Sequence, residues 1–187
     1  MNTTRLHTLR SFVVGAAAAT LAACAERTPL QPMRPDSVQA SFARAPAGDT
    51  DGALVTLQRV TARYHDIDAA FADGFVLLHG CENRPGEGPV GAVYVHFGRL
   101  MDGAIDPQAP DALIYEPTRN GRLRLVGVEF ALPYSLWNQP QPPTFLGATF
   151  QTEDEFGVFA LHVWVWRNNP EGLFAESNPR VTCDAIE

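Results

Sequence analysis

The chain has 187 residues and a net charge of −7, set by 21 acidic residues against 14 basic ones. Every basic residue is Arg, and the absence of Lys removes Schiff-base and lysine-base chemistry. An acidic balance gains nothing from phosphate backbones, so nucleic acid is not an expected partner.

In chain order, the N-terminus carries Arg5, His7 and Arg10, then Phe12-Val13-Val14-Gly15, a run of Ala from Ala16 to Ala19, and Leu21-Ala22-Ala23-Cys24. A basic start, a short apolar core and small residues before a cut describe a secretory signal over residues 1–23. Leu21-Ala22-Ala23-Cys24 resembles the lipobox of bacterial lipoproteins. That resemblance implies cleavage before Cys24 and a lipid on its thiol. It also implies acylation of the new amino end, and such an anchor needs no membrane-spanning helix, because several chains together hold where one alone would not. The membrane, reached through this anchor, is then an expected partner. Ala25, where an Asp tends to retain such proteins at the inner membrane, implies sorting to the outer membrane, facing the periplasm or the exterior. Removing residues 1–23 takes away two Arg and no acid, so the mature chain is still more acidic.

Residues 24–50 hold Pro29, Pro32, Pro35 and Pro46 without sustained periodicity, and read as the lipidated Cys and a disordered tether. Residues 51–187 read as a single domain. Leu57, Val60, Tyr64, Ile67 and Phe71 recur at three-four spacing and predict one helix over 53–73, with Asp51 as a candidate N-cap and Gly74 as its C-cap. His65 lies beside this stripe and reads as a boundary residue. Short β-type runs follow at 75–79, 91–97, 112–116, 122–130 and 157–166. Turn residues separate them at Asn83-Arg84-Pro85-Gly86 and Asn120-Gly121. A stiff Pro-rich loop spans 138–143, and the tail from Asn168 to Cys183 reads as loop. The fold class is α+β: one N-terminal helix followed by a mainly antiparallel sheet or small barrel-like sheet. With Cys24 lipidated, Cys81 and Cys183 remain as an even pair in an oxidising compartment and are expected to form a disulfide.

Period-two facing locates the candidate chemistry. His96 shares a face with Ala92 and Tyr94. Glu129 shares one with Leu123, Leu125 and Gly127, and His162 shares one with Ala160, Trp164 and Trp166. A carboxylate inside so apolar a strand as that of Glu129 needs a cation, a hydrogen-bond partner or an exposed face. One reading joins His96, Glu129 and His162 as a mononuclear site for a transition metal (Zn, Cu, Fe or Mn), with His79 as a fourth ligand. The other makes them structural, with His162 bonded to a backbone group or to Glu129, or Glu129 paired with Arg122, Arg124 or Arg167. Trp164 and Trp166, on one face, form a candidate aromatic binding patch. Glu116, before Pro117 at a strand end, reads as solvated.

Leu113-Ile114-Tyr115-Glu116-Pro117, the run Gly121 to Glu129, and Leu161-His162-Val163-Trp164-Val165-Trp166 with Asn169-Pro170 and Asn178-Pro179 are similar to an uncharacterised group of secreted bacterial proteins. The resemblance implies no activity. The expected function is a non-catalytic binding or accessory role at the cell envelope, toward an envelope protein or a small ligand. The alternative is a metal-binding protein or mononuclear metal-dependent enzyme.

Overall fold

The computed structural model describes residues 50–84, 86 and 88–184. The expected signal, Cys24 and the expected tether up to residue 49 lie outside the described residues, whereas Thr50, expected in the tether, is helical. The described residues begin with helix α1 (Thr50–Thr61), a 3-10 turn (Ala62–His65) and helix α2 (Ile67–Ala72). Asp51 sits in the first turn of α1 rather than before it.

The expected single helix is therefore broken at Asp66. This residue takes an extended conformation, and its side chain accepts a hydrogen bond from the Asp68 N–H at 3.1 Å. An Asp in that role starts a new helix more readily than it continues an old one. The restart rotates the apolar stripe. Leu57 and Tyr64 are buried as expected, but Ala70 takes the inward place and Phe71 is exposed. Gly74 ends α2 at φ +94°, with its N–H on Phe71 O and the Phe75 N–H on Ala70 O. This is a Schellman closure, and the left-handed conformation explains the glycine.

The rest is antiparallel sheet. Strand β1 is Val76–Arg84, β2 Gly88–Val95, β3 Ala112–Pro117, β4 Leu123–Pro133, β7 Gln151–Glu153 and β8 Val158–Val163, in the spatial order β1-β2-β3-β4-β8-β7. Helix α3 (Phe97–Leu100) follows β2, and β5 (Thr144–Phe145) with β6 (Ala148–Thr149) form a separate small hairpin. The α+β class and the antiparallel sheet match the sequence reading. Strands β5 to β7 were not expected, and β8 stops three residues early, at Val163.

Two apolar layers lie on the two faces of the sheet. On one, α1, the 3-10 turn and α2 place Leu57, Tyr64 and Ala70 against Tyr94, Tyr115, Val128 and Phe130. The Tyr115 hydroxyl donates to Tyr64 O at 2.7 Å and ties the helical segment to β3. On the other face lie Val93, Val95, Ile114, Val126, Trp164 and Val181. The tail reaches this layer because Cys81 and Cys183 are bonded, with Cα atoms 5.3 Å apart. The disulfide joins β1 to a segment 102 residues later.

A bulge in β4 decides where Glu129 points. Ile114 pairs with Gly127, yet Tyr115 pairs with Leu125, so Val126 is the extra residue. An extra residue exchanges the two faces beyond it. Leu125 and Val128, three apart, therefore share the helix-covered face, and Glu129 turns to the other. A side chain at Gly127 would meet Val163 O at 3.0 Å, which fits the glycine at the bulge.

Candidate functional site

Register then assembles the site. One row of paired residues crosses five strands: Val76, Val95, Ala112, Glu129 and His162. The last four line a pocket of about 130 Å³. Leu78 and His79 come from β1, Ala131 from β4, Val158 from β8 and Glu153 from β7, so all six strands of the sheet contribute. The sheet curls enough for its two edges to share one cavity, and His79 stacks on Phe156 of the β7–β8 turn with ring centroids 6.0 Å apart.

Helix α3 supplies part of the mouth. His96 caps it, its Nδ1 accepting from the Arg99 N–H at 3.1 Å. Arg99 lies over the Phe75 ring at 4.9 Å and donates to Pro110 O at 3.0 Å. These contacts fix the short helix, which sets Phe97 and Leu100 against the pocket. Phe97, Leu78 and Phe156 are all partly exposed at 53%, 37% and 38%. They form an apolar rim, the kind of exposed surface that marks a binding site more often than a scattered surface Leu does.

Glu129 and His162 are the pocket's polar pair. His162 Nδ1–H donates to Glu176 O at 2.6 Å, which turns Nε2 to Glu129 Oε2 at 3.3 Å. Burial by itself lowers the affinity of the ring for its proton. The Glu129 carboxylate and the Glu176 carbonyl more than offset this, and the His162 pKa is raised above its ordinary value. The facing Glu129 carboxylate thus favours a proton on Nε2.

Asp111 lies behind this row and was not singled out from the sequence. It is 1% exposed; its Oδ2 accepts from the Ala131 N–H at 2.9 Å, and its Oδ1 has no hydrogen-bond partner. Burial raises its pKa to about 8, with the Ala131 N–H opposing and the charges of Asp102 and Glu129 adding to the rise. The carboxyl is therefore mainly protonated at neutral pH.

The structure thus brings Glu129 and His162 together but leaves His96 on the helix-covered face, beside Phe75 at 5.4 Å. Among the described residues no three His, Cys, Asp or Glu side chains are grouped to hold a metal ion. The expected His96–Glu129–His162 set is not assembled, because the β4 bulge turns Glu129 away from the face of His96. His79 does reach the pocket; its Nδ1–H donates to Gly80 O at 2.9 Å. Glu129 meets His162 rather than an Arg.

Trp164 and Trp166 do not form one patch. The chain leaves the sheet after Val163, with the Val165 N–H turning back to Val163 O at 2.9 Å. Trp164 is buried in the second layer and donates to Ala175 O at 2.6 Å. Trp166 packs on the helical side, its Nε1–H on Thr61 Oγ1 at 3.1 Å and its ring against His65 at 4.4 Å. Glu116 is buried rather than solvated. Arg124 binds it through Nε and Nη2, and the Thr182 N–H donates to it at 3.2 Å.

No family model, no curated protein and no solved structure matches the chain.

Proposed function

We propose that this protein is a non-catalytic binding module, held at the cell envelope through an acylated Cys24, that takes a small and largely apolar ligand. One observation carries the reading: six strands and α3 converge on a single pocket whose walls are apolar and whose floor holds one ion pair. Ligand sites share this pattern of an apolar cavity with few, well-placed polar groups. Both His162 nitrogens face protein oxygens, Glu176 O and Glu129 Oε2, which ties the ring into the pocket wall. The metal-dependent alternative draws no support from the separation of His96 from the other two residues.

The pocket is small. An apolar cavity of about 150 Å³ takes a single six-carbon ring, so the occupant is a ring-sized molecule or the end group of a larger one. Roughly eight heavy atoms bind with about 4–6 kcal/mol, a Kd of about 0.05–1 mM. Calorimetric titration of the full chain with ring-sized probes such as benzyl alcohol, benzylamine and cyclohexanol tests this. Saturable one-to-one binding by at least one is expected. Failure of every probe to bind at several millimolar would remove the pocket as a ligand site.

A further inference from the structure

The hydrogen-bonding character of the occupant follows from the side chains around the pocket. The lining holds no hydroxyl, amide, guanidinium or ammonium side chain; its polar side chains are Glu129, Glu153, His79 and His162. An ionised carboxylate only accepts. His162 turns its two nitrogens to Glu176 O and Glu129 Oε2, so it offers a ligand no free N–H. Glu153 has an interaction of its own within the protein. With both carboxylates engaged, a cation finds no uncompensated charge to balance, and an anion meets acceptors alone.

His79 is the polar side chain left over. It is only 14% exposed, its Nδ1–H donates to Gly80 O at 2.9 Å, and its ring lies 14° from the plane of Phe156. Glu82 Oε1 stands 3.9 Å from the same Nδ1. The backbone bond and the stacked ring fix the orientation of the imidazole. With the proton on Nδ1, Nε2 of the neutral ring is an acceptor. Among the described residues no hydrogen bond reaches it. A polar atom largely withdrawn from water and left without a partner costs free energy, and a ligand group that donates to it removes that cost. Leu78 and Phe156 line the cavity with His79, so the acceptor lies beside apolar contact area.

We propose that the occupant is a neutral, ring-sized molecule bearing a hydrogen-bond donor, an alcohol or a phenol, whose O–H donates to His79 Nε2 while its apolar body sits among Leu78, Phe97 and Phe156. This rests on the pocket being the binding site. The donor supplies the one hydrogen bond that the lining lacks, and the body supplies the contact area.

The test titrates the full chain at about pH 8, where an ordinary imidazole is neutral, with benzyl alcohol, benzonitrile and benzylamine. Each carries one polar group on the same ring, and benzonitrile accepts a hydrogen bond but donates none. Benzyl alcohol should bind about fivefold tighter than benzonitrile, the factor that a net neutral hydrogen bond gives, and benzylamine should bind no tighter than the alcohol. In His79→Phe, which keeps a ring against Phe156 and removes the acceptor, the alcohol-to-nitrile ratio should fall to about one. In the wild type, the His79 Nε2 nitrogen resonance should move on saturation with benzyl alcohol and stay in place with benzonitrile, a readout that stands even where the variant does not fold. Equal affinity for alcohol and nitrile, tighter binding of the amine, an undiminished ratio in His79→Phe or an unmoved Nε2 resonance would overturn the neutral donor while leaving the pocket as the site. If none of the three binds, the pocket reading falls with it.

Discussion

Replacing Asp111 by Asn tests the electrostatics of the sheet interior most sharply. Asp111 is buried with one oxygen unpartnered, and its pKa rises from 3.8 to about 8. The folded protein therefore keeps a proton that the unfolded chain has released. Stability from this group is fully present below 3.8 and is lost as the pH rises toward about 8. Each pH unit in that window removes about 1.4 kcal/mol. Asparagine has no proton to lose, and its Oδ1 can still accept from the Ala131 N–H. Its new amide N–H₂ group costs about 1–3 kcal/mol if it finds no partner, but that penalty does not vary with pH. The informative quantity is the change with pH in the stability difference between Asp111→Asn and wild type. Between about pH 4.5 and pH 6.5 that difference should shift by about 2.7 kcal/mol in favour of the variant. Urea denaturation at several pH values reads it directly. Because all other titrating groups are shared, the contribution of His162 cancels. Parallel stability profiles would show that Asp111 is already ionised in the fold, and would refute the reasoning.

Three further outcomes are expected. His162 should titrate above the ordinary histidine value near 6.5, followed by its ring proton resonances, and Glu129→Gln should bring that value down. The stabilisation from the pair is present below about 6.5 and is lost as pH rises through the raised value, so Glu129→Gln should cost about 3–5 kcal/mol near pH 6 and less in alkali. Reducing the Cys81–Cys183 disulfide should lower stability by about 2–4 kcal/mol, given the long loop it closes; an unchanged urea midpoint would count against its structural role. Cys24→Ser should abolish acyl mass and membrane fractionation, and a variant that still carries lipid would exclude Cys24 as the anchor.

Local patterns in the sequence located most of the sheet. The Asn120-Gly121 turn lies where expected, Gly121 at φ +74° with its N–H on Thr118 O. The disulfide followed from counting cysteines and from the oxidising compartment expected of the chain. Period-two alternation failed at Glu129 because one bulge residue reverses every face beyond it. Gly127, an isolated glycine in a long apolar strand, was the available signal. Asp66, between His65 and Ile67, likewise carried the cap that breaks the helix. Glu116 could not be placed locally, since the Thr182 N–H that holds it arrives from 66 residues away. Asp111 sits just before β3, where an acid ordinarily reads as a solvated turn residue. Its burial depends on β2 and β4 closing over it: the His96 N–H donates to its carbonyl, and its own N–H donates to Glu129 O. Of the pocket, the sequence offered Glu129, His162 and His79. The apolar rim of Leu78, Phe97 and Phe156 comes from three separate segments that only the curl of the sheet brings together.

The central claim is that this pocket is where the protein binds. Amide chemical-shift mapping with benzyl alcohol tests it most directly, on wild type and on Ala112→Leu, which places a larger side chain in the lining. The account predicts saturable shifts confined to Leu78, Val95, Phe97, Glu129 and Val158 in the wild type, and their loss in a variant that keeps its fold. Saturable shifts elsewhere, or equal binding to the filled variant, would contradict it.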